Sequence, residues 1–117
     1  MSFREDLDAL CARLPGAELA DTSSGEHDAW KVGGKMFACF GKMDPGVSVK
    51  TRDIETATML IDSGIGRRAP YFHRSWIRLD PDCGMEEARH RIATSYDLVR
   101  AGLTRKVQNS LPPRGDL

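Results

Sequence analysis

The residues best suited to chemistry fall in one run, His73-Arg74-Ser75-Trp76-Ile77-Arg78. Along an extended strand Arg74, Trp76 and Arg78 share one face and His73 lies on the other. Guanidinium groups beside an exposed indole are the parts of a surface that holds phosphate and stacks on a base. The opposing reading keeps Trp76 in the core, with the arginines snorkelling outward at its edge. Lys50 and Arg52 share the polar face of a second strand. There they either position a phosphate or solvate the sheet. Arg67-Arg68 follow Gly64-Ile65-Gly66, which reads as a flexible loop reaching outward like a wing. If DNA is bound, the expected contacts are Lys35, Lys50, Arg52, Arg67, Arg68, His73, Arg74 and Trp76.

Other chemistry finds little support. His27, His73 and His90 stand with Cys11, Cys39 and Cys83, and no two fall at a metal-ligand spacing. No nucleophile and base can be paired from them. The chain therefore reads as non-enzymatic, with no catalytic residue, metal or cofactor assigned. Cys11 lies on a helical stripe and Cys39 in mid-strand, where thiols are usually buried. Gly33-Gly34 reads as a hairpin turn, since no nucleotide-loop pattern surrounds it.

The charge is segregated. Seventeen Lys and Arg balance seventeen Asp and Glu, which argues against a general nucleic-acid or membrane binder. Residues 1–30 hold two bases against seven acids, and residues 31–52 hold five against one. Residues 53–64 hold none against three, and residues 65–78 hold four against none. The remainder balances at six against six. The sheet region is thus basic and the first two helices acidic.

The elements that must position these residues follow from periodicity. Phe3, Leu7, Leu10, Cys11 and Leu14 form one helical stripe, capped by Ser2 and Glu5 and stopped by Pro15-Gly16. Residues 17–26 read as a polar loop, with the cluster Asp21-Thr22-Ser23-Ser24-Gly25. Strands Ala29–Val32 and Lys35–Phe40 flank the glycine pair, and Lys42-Met43-Asp44-Pro45-Gly46 makes the next turn. Val47, Val49 and Thr51 then alternate with polar residues. A second helix runs from about Asp53 to Asp62, with Ile54, Ala57, Leu60 and Ile61 as its stripe. Tyr71–Leu79 reads as a strand. Met85, Ala88, Ile92, Tyr96, Val99 and Leu103 mark a long last helix. Residues 105–117, with Pro112-Pro113, read as a mobile tail.

Several motifs resemble those of the MmcQ/YjbR-like proteins. Lys31-Val32-Gly33-Gly34-Lys35-Met36-Phe37-Ala38 resembles their hairpin, and Leu14-Pro15-Gly16-Ala17 the end of their first helix. Val49-Lys50-Thr51 resembles a further strand, and Ser95-Tyr96-Asp97-Leu98-Val99 their last helix. His73-Arg74 stands where the family has Asn-Lys before Trp76-Ile77, so the polar chemistry changes while the basic character stays. The resemblance spans roughly residues 7 to 103. It implies an α+β, CyaY/frataxin-like two-layer sandwich and DNA binding through a double-wing arrangement. Frataxin-like folds also bind iron on acidic helix faces, but Glu5, Asp6 and Asp8 more simply favour a helix N-terminus.

The expectation is one domain over residues 1–104, an antiparallel sheet with helices packed on one face. A protein-interaction adaptor with a dipolar surface is the alternative function. The chain is expected to be a cytoplasmic monomer, having no apolar run long enough for a membrane and no signal-peptide core.

Overall fold

A computed structural model describes residues 2–21, 27–41 and 45–115. The expected loop cluster at 22–25 and the turn at 42–44 lie outside the described residues. The elements are α1 (Phe3–Arg13), β1 (Ala17–Asp21), β2 (His27–Val32), β3 (Lys35–Gly41), β4 (Val47–Lys50), α2 (Ile54–Asp62), β5 (Arg67–Arg68), β6 (Trp76–Leu79), α3 (Met85–Ala101) and α4 (Arg105–Ser110). A 3₁₀ turn at Pro81–Cys83 precedes α3.

The six strands form one sheet in the order β1-β2-β3-β4-β6-β5, every pair antiparallel. Gly33 and Gly34 have φ of 58° and 81°, the two positive values a tight hairpin turn between β2 and β3 requires. Ser2 caps α1 by accepting from the Glu5 backbone N–H at 3.1 Å.

One core unites the helices with the sheet. Leu7, Leu10 and Leu14 of the α1 stripe meet Ala88, Ile92, Tyr96 and Val99 of the α3 stripe in a single buried cluster. The sheet contributes Phe40, Val47, Val49, Ile77 and Leu79 to it, and α2 contributes Ala57 and Leu60. A bulge between Trp30 and Lys31 leaves Phe37 without a cross-strand partner. Its ring instead meets Tyr96 edge-on at 5.3 Å.

The Ser95-Tyr96 pair of α3 has a structural use. Ser95 Oγ donates to the Phe37 carbonyl at 2.6 Å and accepts from the Lys50 backbone N–H at 2.9 Å. One hydroxyl thereby pins β3 and β4 to the helix. Tyr96 Oη donates to the Pro15 carbonyl at 2.6 Å and ties α3 to the end of α1.

Four expectations are corrected. Ala17–Asp21 is not loop but edge strand β1, paired along its length with β2. Its backbone hydrogen bonds outweigh a composition without β-branched residues. The strand expected over Tyr71–Leu79 begins only at Trp76, because residues 70–75 turn. Arg67-Arg68 form β5, paired with Arg78 and Ile77, rather than a loop. The segment read as a tail carries α4, capped by the Thr104 hydroxyl. Arg100 donates to the Leu111 carbonyl at 3.1 Å, and Arg114 pairs with Asp97 at 2.7 Å. Leu111 packs so close to Gly16 that a Cβ there would lie 2.5 Å from it.

Candidate functional site

Alternation along β4 and β6 sets up the site. Val49 and Ile77 face the core, so their neighbours Lys50 and Trp76, which are cross-strand partners, share the opposite face. Beyond Lys50 the chain turns at Arg52 and enters α2. Asp53 caps that helix by accepting from the Thr56 backbone N–H at 2.7 Å. The two segments and the turn before β6 enclose an open cleft of about 750 Å³. Lys50, Arg52, His73, Trp76, Asp53 and Glu55 line it, together with Ile54 and Ser75.

Buried hydroxyls hold its floor. The Thr51 backbone N–H donates to the Ser75 carbonyl at 2.8 Å, and Thr51 Oγ1 donates to the same oxygen at 2.6 Å. The Ser75 backbone N–H in turn donates to His73 Nδ1 at 3.1 Å, with Ser75 Oγ 2.9 Å from that nitrogen. Since an N–H only donates, Nδ1 is the acceptor and the neutral ring carries its proton on Nε2.

The indole is braced on one side. Tyr71, with a φ of 71°, reverses the chain after Pro70 and is itself fully exposed. Phe72 then stacks on Trp76 with centroids 4.8 Å apart and planes at 27°. Phe72 does not line the cleft, whereas Trp76 does.

The cleft has two electrostatic walls. Lys50 comes from β4 and Arg52 from the turn after it, whereas Asp53 is the N-cap of α2 and Glu55 lies in its first turn. The hydrogen bonds from Thr56 hold the Asp53 carboxyl below its ordinary value, with Arg52 adding to the effect. Arg52 Nε lies 3.4 Å from Asp53 Oδ2, but its side chain is 79% exposed, so the pair is a weak one.

Four of the eight expected contacts therefore meet in one place: Lys50, Arg52, His73 and Trp76. The other four do not line the cleft. Lys35 is exposed at the β2–β3 hairpin, and Arg74 is exposed in the turn before β6. Arg67 makes a two-pronged pair with Asp80 at 2.7 and 3.1 Å, and Arg68 donates to the Ala69 and Phe72 carbonyls. Both stay exposed on the edge strand β5, with these bonds in place of the flexible loop expected of them. Trp76 is partly exposed, so the core reading of this residue does not hold. Sequence reasoning missed Thr51, Ser75 and Glu55 as parts of the site. Asp53 was visible only as a helix start.

The remaining chemistry candidates are absorbed by structure. Burial pushes the Cys11, Cys39 and Cys83 thiols up. Asp8 accepts from Trp30 Nε1 at 2.9 Å and pairs with Arg4 at 3.0 Å, which commits it to the fold. Among the described residues no three His, Cys, Asp or Glu are grouped to hold a metal ion. Nor is any helix there long and apolar enough to cross a membrane.

The model of the YjbR family matches residues 12–98. Among solved structures, the crystal structure of the Deinococcus radiodurans protein DR2400, a DUF419 domain, is similar with a TM-score of 0.79. The two chains are 21% identical, over 91% of this one and 85% of the other. At that identity the likeness is one of fold. No curated protein matches the chain.

Proposed function

We propose that this chain, which belongs to the YjbR family, is a non-enzymatic protein that binds DNA by its phosphates with little sequence specificity. The observation that carries the reading is the convergence of Lys50, Arg52, His73 and Trp76 on one cleft. An anion placed against the β4 wall meets two cations at once. Phosphate contacts of this kind position a nucleic acid without reading its sequence. The wider field supports it, because the basic blocks 31–52 and 65–78 supply the adjacent strands β3, β4, β6 and β5.

A DNA titration at two salt concentrations tests the proposal. Affinity must fall steeply as salt rises, because each phosphate contact releases counterions. Absence of binding even at low salt overturns it. One observation favours a protein partner as the second reading: Ile54 is 38% and Met59 60% exposed on α2 beside the cleft. Binding through that apolar surface would persist at high salt.

A further inference from the structure

The form of the cleft says more about the ligand than its charge does, given the DNA reading above. A volume of about 750 Å³ sits within the range of pockets that take one small ligand, about 300–1,000 Å³. A duplex is a convex rod whose grooves receive protein elements. Here the concavity belongs to the protein. Of the parts of a nucleic acid, the one of a size to fit it is a nucleotide that has left the stack.

The walls then assign the parts of that nucleotide. Phe72 braces the indole of Trp76 from outside the cleft, so the ring is held ready as a stacking platform for a base. Lys50 and Arg52 attract the phosphate, and the Glu55 carboxylate repels it. Asp53 is spent on capping α2 and on Arg52. Glu55, exposed on the first turn, remains to face the base edge. A carboxylate accepts from the exocyclic amino group of cytosine, whereas the one edge donor of unpaired thymine, N3–H, lies between two carbonyl oxygens that repel the carboxylate.

We infer that the cleft holds one unpaired nucleotide of a single strand, with its phosphate on Lys50 and Arg52, its base on Trp76 and an amino-bearing edge toward Glu55. The inference rests on the DNA reading but fails separately from it.

The experiment compares four ligands with the full chain at neutral pH and low salt: an oligodeoxycytidylate, an oligodeoxythymidylate of equal length, and their respective guanine-paired and adenine-paired duplexes. Binding is read by anisotropy of the oligonucleotide and by tryptophan emission. Cytidylate should bind several-fold tighter than thymidylate, and both tighter than either duplex. Trp76→Leu should weaken single-strand binding at least about fivefold, the low end for loss of one stacked base. Trp76→Phe keeps an aromatic face and should recover much of that loss, which separates stacking from misfolding. Glu55→Gln should shrink the preference for cytidylate, while Lys50→Gln weakens both strands alike. Duplexes binding as tightly as single strands, or thymidylate matching cytidylate, overturns the inference and leaves the DNA reading standing. Free cytidine monophosphate binding as tightly as the strand overturns its assignment to nucleic acid. If no oligonucleotide binds, both readings fall.

Discussion

Two regions of this sheet carry a tryptophan among charged side chains, and they use it in opposite ways. At the α1 side Trp30 is 8% exposed, and its indole N–H is taken by Asp8. Arg4 bridges Asp8 and Asp28 at 3.0 and 2.8 Å and lies over the Phe40 ring at 4.4 Å. Every charge there is answered by a neighbour in the fold. At the β4–β6 side Trp76 is braced on Phe72 and lines open space, and of the cations beside it Lys50 is half-buried and Arg52 is exposed and weakly paired. The difference shows that residue types alone do not make a site. Arg, Asp and Trp occur in both regions, and only the second leaves them facing solvent.

Substitutions can break or sharpen this contrast. The largest expected effect is at the closed tryptophan. Trp30→Ala should cost about 3–5 kcal/mol of stability, as for other buried aromatics. Trp76→Ala, being partly exposed, should cost only about 1–2 kcal/mol. Urea denaturation of both variants checks this, and equal losses would mean that Trp76 is a core residue after all.

The arginines should differ in the same sense. Arg4→Ala removes charge-assisted bonds to two carboxylates and should cost about 1.5–3 kcal/mol. Arg52→Ala should stay within about 0.5 kcal/mol, since exposed ion pairs contribute little. Thermal melts rank the two.

A smaller effect is expected at the α2 cap. Asp53→Ala removes the acceptor for the Thr56 backbone N–H and should lower Tm, by less than Arg4→Ala does. The Asp53 carboxyl is held below its ordinary value in the fold. Its stabilisation is therefore fully present above the unfolded value of about 3.9 and is lost as pH falls through the lowered folded one. Melts of parent and variant should converge on acidification below about pH 4.

Much of the fold was legible because its main helices are strongly patterned. The stripes of α1 and α3 and the Gly33-Gly34 turn follow from spacing and from the φ values glycine allows. Strand β1 was not legible, because Ala17-Glu18-Leu19-Ala20-Asp21 lacks β-branched residues and is held by pairing with β2. The short α4 carries no stripe, although its Thr104 cap was in plain view. In the site, Lys50, Arg52, His73 and Trp76 could be chosen by type. Thr51 and Ser75 could not, because they matter only through a contact across twenty-four positions of sequence. That Arg67-Arg68 form a strand rather than a loop was hidden for a related reason. Asp80, which holds Arg67, lies thirteen residues away.

The central claim is that the cationic wall of the cleft holds phosphate. The measurement that tests it most directly is the slope of log affinity for DNA against log salt, compared between the parent chain and Lys50→Gln/Arg52→Gln. If both side chains contact phosphate, the slope should become shallower by about 1.4–1.8, at 0.7–0.9 per contact. An unchanged slope with the fold intact would place the phosphates elsewhere and contradict the account.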